Sequence, residues 1–218
     1  MGMTTKWRIV AAVLLGCAVM AFVDGVAQPG YLIKSLVKLA LFITLALLCG
    51  VDLRALFHPE KRGLAVSLAL GAGVYAVVLG AYFALRGVFD SSALTAALTA
   101  QTGVTRENFL FVSLYISFVN SLLEEFFFRG FAFLTLRRYA SRAFACWFSA
   151  LAFAVYHLAM MRGWFSVWVT LLALLGLTAG GLIFNRVDEA DGTVYRSWLV
   201  HMFANFATNT VGFLLFAA

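Results

Sequence analysis

Charge is scarce in this chain. Asp, Glu, Lys and Arg make up 12% of its 218 residues, about half the share of a soluble domain. Hydrophobic residues make up 63%, more apolar surface than a water-soluble core of this length needs. Proline is nearly missing, and Pro29 and Pro59 both fall between apolar runs. The three cysteines, Cys17, Cys49 and Cys146, lack the CxxC spacing of a metal or redox site. They cannot build a disulfide framework and read as packing residues. The net charge of +6 is not gathered into a basic stripe, which excludes nucleic acid as a partner. What remains is the lipid bilayer as the solvent.

Seven apolar stretches approach the roughly 17–25 residues that a span needs. They run over 7–23, 33–51, 63–85, 109–136, 143–161, 164–184 and 197–217. The fold class expected is all-α, a polytopic transmembrane helix bundle of about seven spans. Residues 1–218 read as a single membrane domain, with no motif in 1–108 and the chemistry in 109–217. Lys6 and Arg8 before the first run, and Leu14-Leu15-Gly16-Cys17 within it, imitate a cleavable leader. Such a tetrapeptide arises easily in a Leu/Gly/Ala-rich chain, so a retained helix is expected. Lys34 and Lys38 open the second span, where long side chains snorkel to headgroups. A short interfacial helix is expected from Asp90 to Gln101.

Counting cations by side orients the chain. An inside N-terminus puts Lys6, Arg8, Arg54, Lys61, Arg62, Arg137, Arg138, Arg142, Arg186 and Arg196 on the inner side. Lys34, Lys38, Arg86, Arg106 and Arg162 fall outside, and Arg129 lies within a span. The excess favours a multi-pass protein of the plasma or inner membrane with a cytoplasmic N-terminus.

The fourth apolar run holds charges that a bilayer disfavours. Glu124, Glu125 and Arg129 are flanked on both sides by apolar sequence, and one charge at the bilayer centre costs about 2.5–3.5 kcal/mol on insertion scales. Helical spacing sorts the polar residues into two stripes. Ser113, Ser117, Asn120 and Glu124 share one, and Ser121, Glu125 and Arg129 share another about 100° away. Glu125 and Arg129 can therefore pair along the helix, while Glu124 needs protonation or a cation from another span. His157 lies late in the fifth run, with Ser149 and Phe153 on its face. His201, Asn205, Thr208 and Asn209 share one side of the seventh. A lone intramembrane His or Asn usually serves as interhelical glue. An acid, two imidazoles and an amide from three spans are more than glue requires, so a polar catalytic cavity is expected among spans four, five and seven.

As motifs these residues read EExxxR (Glu124, Glu125, Arg129), FxxxH (Phe153, His157) and HxxxN (His201, Asn205). In this order they resemble the CAAX-prenyl-protease and bacteriocin-processing family, also called CPBP or Abi. The resemblance covers roughly residues 109–210, and no motif residue departs from the pattern. It implies a glutamate-dependent intramembrane endopeptidase in which Glu124 and His157 activate water while His201 and Asn205 stabilise the oxyanion. Glu125, Arg129, Phe153 and Asn120 are expected as supporting residues. It implies no metal and no cofactor, and a membrane-associated protein or peptide as substrate, lipidated or not. The residue types suit the chemistry: hydrolysis needs a base for water and donors aimed at the tetrahedral oxygen.

Three other readings compete. The family includes scaffolds and bacteriocin-immunity proteins without proteolysis, which have no need of all six polar motif residues. A zinc peptidase would use both histidines and a glutamate, but HExxH is missing. A proton-coupled transporter would be expected to show inverted repeats or broken helices, and neither is evident.

Overall fold

The computed structural model describes residues 2–58, 60, 63–87, 95–96, 99–100 and 103–217. Among them are seven helices long and apolar enough to cross a membrane: Thr4–Ala27, Tyr31–Leu48, Leu64–Leu85, Phe109–Arg138, Arg142–Met160, Val167–Glu189 and Tyr195–Phe216. The chain is a multi-pass helical membrane protein, and the seven apolar runs match these spans in order. The helix expected over 90–101 falls largely outside the described residues; 95–96 and 99–100 are helical.

The bundle turns apolar side chains outward. Trp168, Phe111, Val167, Leu32 and Val77 are among its most exposed large apolar groups. In water that would be a liability, and against lipid it costs nothing. The core sits instead around the second half of span four, where every residue from Phe126 to Leu136 is buried. Phe42 of span two stacks on Phe127, ring centroids 3.8 Å apart. Gly16 of span one admits the same ring, because a Cβ there would lie 2.7 Å from it. The motif-free spans one and two thus close over the motif-bearing helix.

Small residues set the remaining contacts. Ser67 and Gly71 of span three are buried, and Gly71 lies against Phe203 of span seven. One turn further, Tyr75 hydrogen-bonds Thr210 at 3.1 Å. Small residues four apart let membrane helices approach closely.

Span seven begins inside the bundle. Thr193, Ser197 and Asp188 are fully buried. Thr193 Oγ1 and Val194 N both donate to the Leu56 carbonyl, at 3.0 and 3.2 Å. Asp188 accepts from Ser197 N at 2.8 Å and from Ser197 Oγ at 2.6 Å, tying the end of span six to the start of span seven. His201 is only about 9 Å along the helix from Tyr195, yet it reaches the bundle interior because that helix start is sunk. At the same end Glu189 gathers Arg137 at 3.0 Å, Arg142 at 2.5 Å and Arg186 at 3.4 Å.

Two expectations about the second span need correction. Lys38 does not snorkel: it is 4% exposed and points into the bundle. Lys34 is ion-paired with Asp24 at the end of span one. Both find carboxylates within the protein, and a paired charge in an apolar bundle is less costly than an unpaired one.

Candidate active site

Span four is not a uniform α-helix. It widens into π-helix at Ile116–Asn120 and again at Phe126–Thr135, on either side of the α-helical Ser121–Glu125. A π turn adds about one residue per turn and rotates the residues beyond it about the helix axis. The stripe expected from Ser113 to Glu124 is accordingly split. Ser113 and Ser117 face span seven, where Asn209 Nδ2 donates to the Ser113 carbonyl at 3.1 Å and to Ser117 Oγ at 2.9 Å. Asn120 and one oxygen of Glu124 turn toward Lys38 of span two, while the other oxygen of Glu124 faces spans five and seven. Carbonyls around the widened segment also accept from span seven: Ile116 from Asn205 at 3.1 Å, Phe118 from Trp198 at 3.1 Å. With no water in the hydrocarbon region, such bonds use backbone polarity as interhelical adhesive.

The two neighbouring glutamates have different partners. Glu124 Oε1 accepts from Asn120 Nδ2 at 3.1 Å and is ion-paired with Lys38 Nζ. Lys38 Nζ also donates to Asn120 Oδ1 at 2.6 Å. The other oxygen, Oε2, faces His201 Nε2 at 3.7 Å and His157 Nε2 at 3.9 Å. Glu125 Oε2 lies 3.2 Å from Arg129 Nε, both side chains wholly buried. Glu125 Oε1 lies 2.6 Å from His201 Nδ1.

These contacts set the imidazole tautomers. His157 Nδ1 is 2.7 Å from the Phe153 carbonyl, which can only accept, so Nδ1 carries the proton. His201 Nδ1 likewise donates to the Glu125 carboxylate. Both rings therefore turn Nε2 toward Glu124 Oε2. The separations exceed a direct hydrogen bond and suit a shared third atom.

Phe153 serves the cluster in two ways. Its carbonyl holds His157, and its ring covers the Arg129 guanidinium at 4.0 Å, with the Phe184 ring also in reach at 4.9 Å. The same ring meets His157 edge-on at 4.6 Å. Arg129 donates no well-formed hydrogen bond to another described residue; Glu125 and the two aromatic faces balance its charge. FxxxH carries little information as a sequence signal, but both halves of the Phe have work here.

Among the expected residues, Glu124, Glu125, Arg129, Phe153, His157, His201 and Asn120 are brought together. Asn205 lies one turn beyond His201, with one amide proton given to Ile116. The residue that sequence reasoning misplaced is Lys38. Its signal was indirect: Glu124 lacked a cation on its own helix, and Lys38 is the deeper of two lysines in an apolar run.

Residues 106–207 match a family model described as type II CAAX prenyl endopeptidase, Rce1-like. This match supports the CAAX-protease family. The matched segment holds all three motifs and spans four to six completely. It is slightly under half of the 218 residues, so spans one to three, and Lys38 with them, lie outside it. No curated protein and no solved structure matches the chain. The match supports a membrane endopeptidase of the CAAX-protease type at the level of the family.

Proposed function

We propose that the chain hydrolyses a peptide bond of a membrane-associated protein or peptide, using water activated by Glu124. The supporting observation is the divided carboxylate of Glu124, with Oε1 held by Lys38 and Asn120 and Oε2 turned to both imidazoles. In this mechanism Oε2 takes a proton from water, with His157 Nε2 orienting it, as the water oxygen attacks the scissile carbonyl carbon. The negative charge moves to the carbonyl oxygen, where His201 and the second amide proton of Asn205 donate. As the tetrahedral species collapses, the C–N bond breaks and the proton held by Glu124 passes to the leaving amine. His201 Nδ1 already donates to Glu125, so Nε2 can donate only if the ring carries both protons.

The family description names prenyl endopeptidases, and a prenylated C-terminal peptide is the substrate class to try first here. Residues 1–218 act as one membrane domain in this reading, with the N-terminus in the cytoplasm. Moving Lys38 into the interior widens the Lys/Arg asymmetry behind that orientation. A reporter fused after Arg138 is expected to read cytoplasm, and one after Ala218 the opposite side. Both on one side would undo the orientation.

The test of activity compares wild-type protein and Glu124→Gln on a membrane proteome, with sequencing of the new termini. Termini produced by wild type alone are expected, in undiminished yield with a chelator present. Glu124 Oε2 and the two Nε2 atoms converge where the proposed water sits, and the chelator arm asks whether a cation takes that place instead. Cleavage lost to chelation and restored specifically by zinc would favour a metallopeptidase instead.

A further inference from the structure

We propose that Lys38 is a positioning residue for the water-activating carboxylate, anchoring Glu124 Oε1 so that Oε2 alone is presented to His157 and His201. The inference rests on the reading of Glu124 as the base, and it adds to that site a residue from outside the family-matched segment.

The geometry is that of a three-point clamp. Lys38 Nζ contacts Glu124 Oε1 and Asn120 Oδ1, and Asn120 Nδ2 returns to the same Glu124 oxygen at 3.1 Å. Two donors on Oε1 fix the rotation of the carboxyl group. Without them either oxygen could turn to the imidazoles, or the group could take up a proton and become a donor. A carboxyl group buried in an apolar bundle favours its neutral form unless a cation stands beside it. A base must be ionised to accept the proton of water.

Other charges facing the pair do not replace Lys38. From span two, Lys34 is engaged by Asp24. From span four, Arg129 is paired with Glu125. The imidazoles of spans five and seven lie opposite Oε2, not Oε1. Tyr31 and Tyr156 also face Glu124 and carry no positive charge. The Lys38 ammonium is also held by two aromatic faces, with Nζ 5.0 Å from the Tyr156 ring centroid and 5.7 Å from that of Phe42. Structural glue between spans two and four would need only a neutral donor at this position. A full cation on one oxygen of a candidate base is the feature that glue leaves unexplained.

The test uses Lys38→Met and Lys38→Gln in the full-length protein. Gln keeps a donor and serves as the informative variant where Met does not fold. Infrared spectra of protein carrying isotope-labelled glutamate report the state of the carboxyl group directly. A protonated-carboxyl band is expected at neutral pH in both variants. It should be missing from wild type and should vanish when Glu124→Gln is added. On a farnesylated, internally quenched C-terminal peptide, kcat is expected to fall about a hundredfold, the usual penalty for a misplaced catalytic group, with KM little changed. No new band, together with wild-type turnover, would overturn the proposal and leave Lys38 as glue. Failure of the underlying reading looks different. Wild type would then be inactive or Glu124→Gln active, and the infrared band would still decide whether Lys38 governs Glu124.

Discussion

Glu124→Gln is expected to abolish cleavage while the protein stays folded. Gln has the same shape, and its amide oxygen can still accept from Lys38 and Asn120 as Glu124 Oε1 does. The amide NH₂ then replaces Oε2 between the imidazoles, and an amide cannot take a proton from water. General-base catalysis contributes about 10²–10⁴-fold, so turnover should drop by that order or to background. The change also removes the charge that balances buried Lys38, which lowers stability. That loss is limited, because an amine left alone in apolar surroundings can release its proton. Cleavage rates and detergent-unfolding midpoints on the same preparations provide the check. A Glu124→Gln protein that still cleaves would remove Glu124 from the mechanism.

Glu125→Gln is expected to lose more stability than Glu124→Gln, and activity with it. Its carboxylate is wholly buried between Arg129 Nε at 3.2 Å and His201 Nδ1 at 2.6 Å. Breaking a buried ion pair by removing one partner costs about 3–5 kcal/mol. Arg129 has no escape, since a guanidinium does not deprotonate in proteins, whereas Lys38 can. The loss of activity has a separate cause. An amide in place of the Glu125 carboxylate can turn either its oxygen or its NH₂ to His201 Nδ1, so the ring is no longer held in one tautomer and Nε2 is no longer fixed for its role toward an oxyanion. Adding Arg129→Met separates the two effects, because apolar replacement of both members of a buried pair is often neutral. The double variant should regain much of its unfolding midpoint and remain slow. Equal midpoints for Glu125→Gln and wild type would mean that the pair contributes nothing to the fold. Full activity in the double variant would mean that Glu125 does not act through His201.

Much of this protein is legible along the chain because transfer into lipid is a local property. Each apolar run carries its own free energy of insertion, so seven runs predict seven spans without knowledge of their neighbours. Helical periodicity is local as well. The i, i+4 spacing of Glu125 and Arg129 anticipates their ion pair and sets Glu124 on a different face. The order of EExxxR, FxxxH and HxxxN on separate spans likewise points to one shared interior.

What only the tertiary structure decided are the relations between helices. Lys38 reads as a headgroup lysine because its neighbours in sequence are apolar and a span boundary is near. Its direction depends on Glu124, which is 86 residues away in the chain. His201 reads as shallow by counting from Arg196, and it is deep because Asp188, Thr193 and Leu56 hold the start of span seven inside the bundle. The stripe from Ser113 to Glu124 assumes 3.6 residues per turn throughout, and the π turn at Ile116–Asn120 divides it between two partner helices. Insertion energies add residue by residue along one helix, whereas a buried charge is stabilised by whichever helix packs against it. The chain therefore encodes its spans locally and its charge pairs only through the assembled bundle.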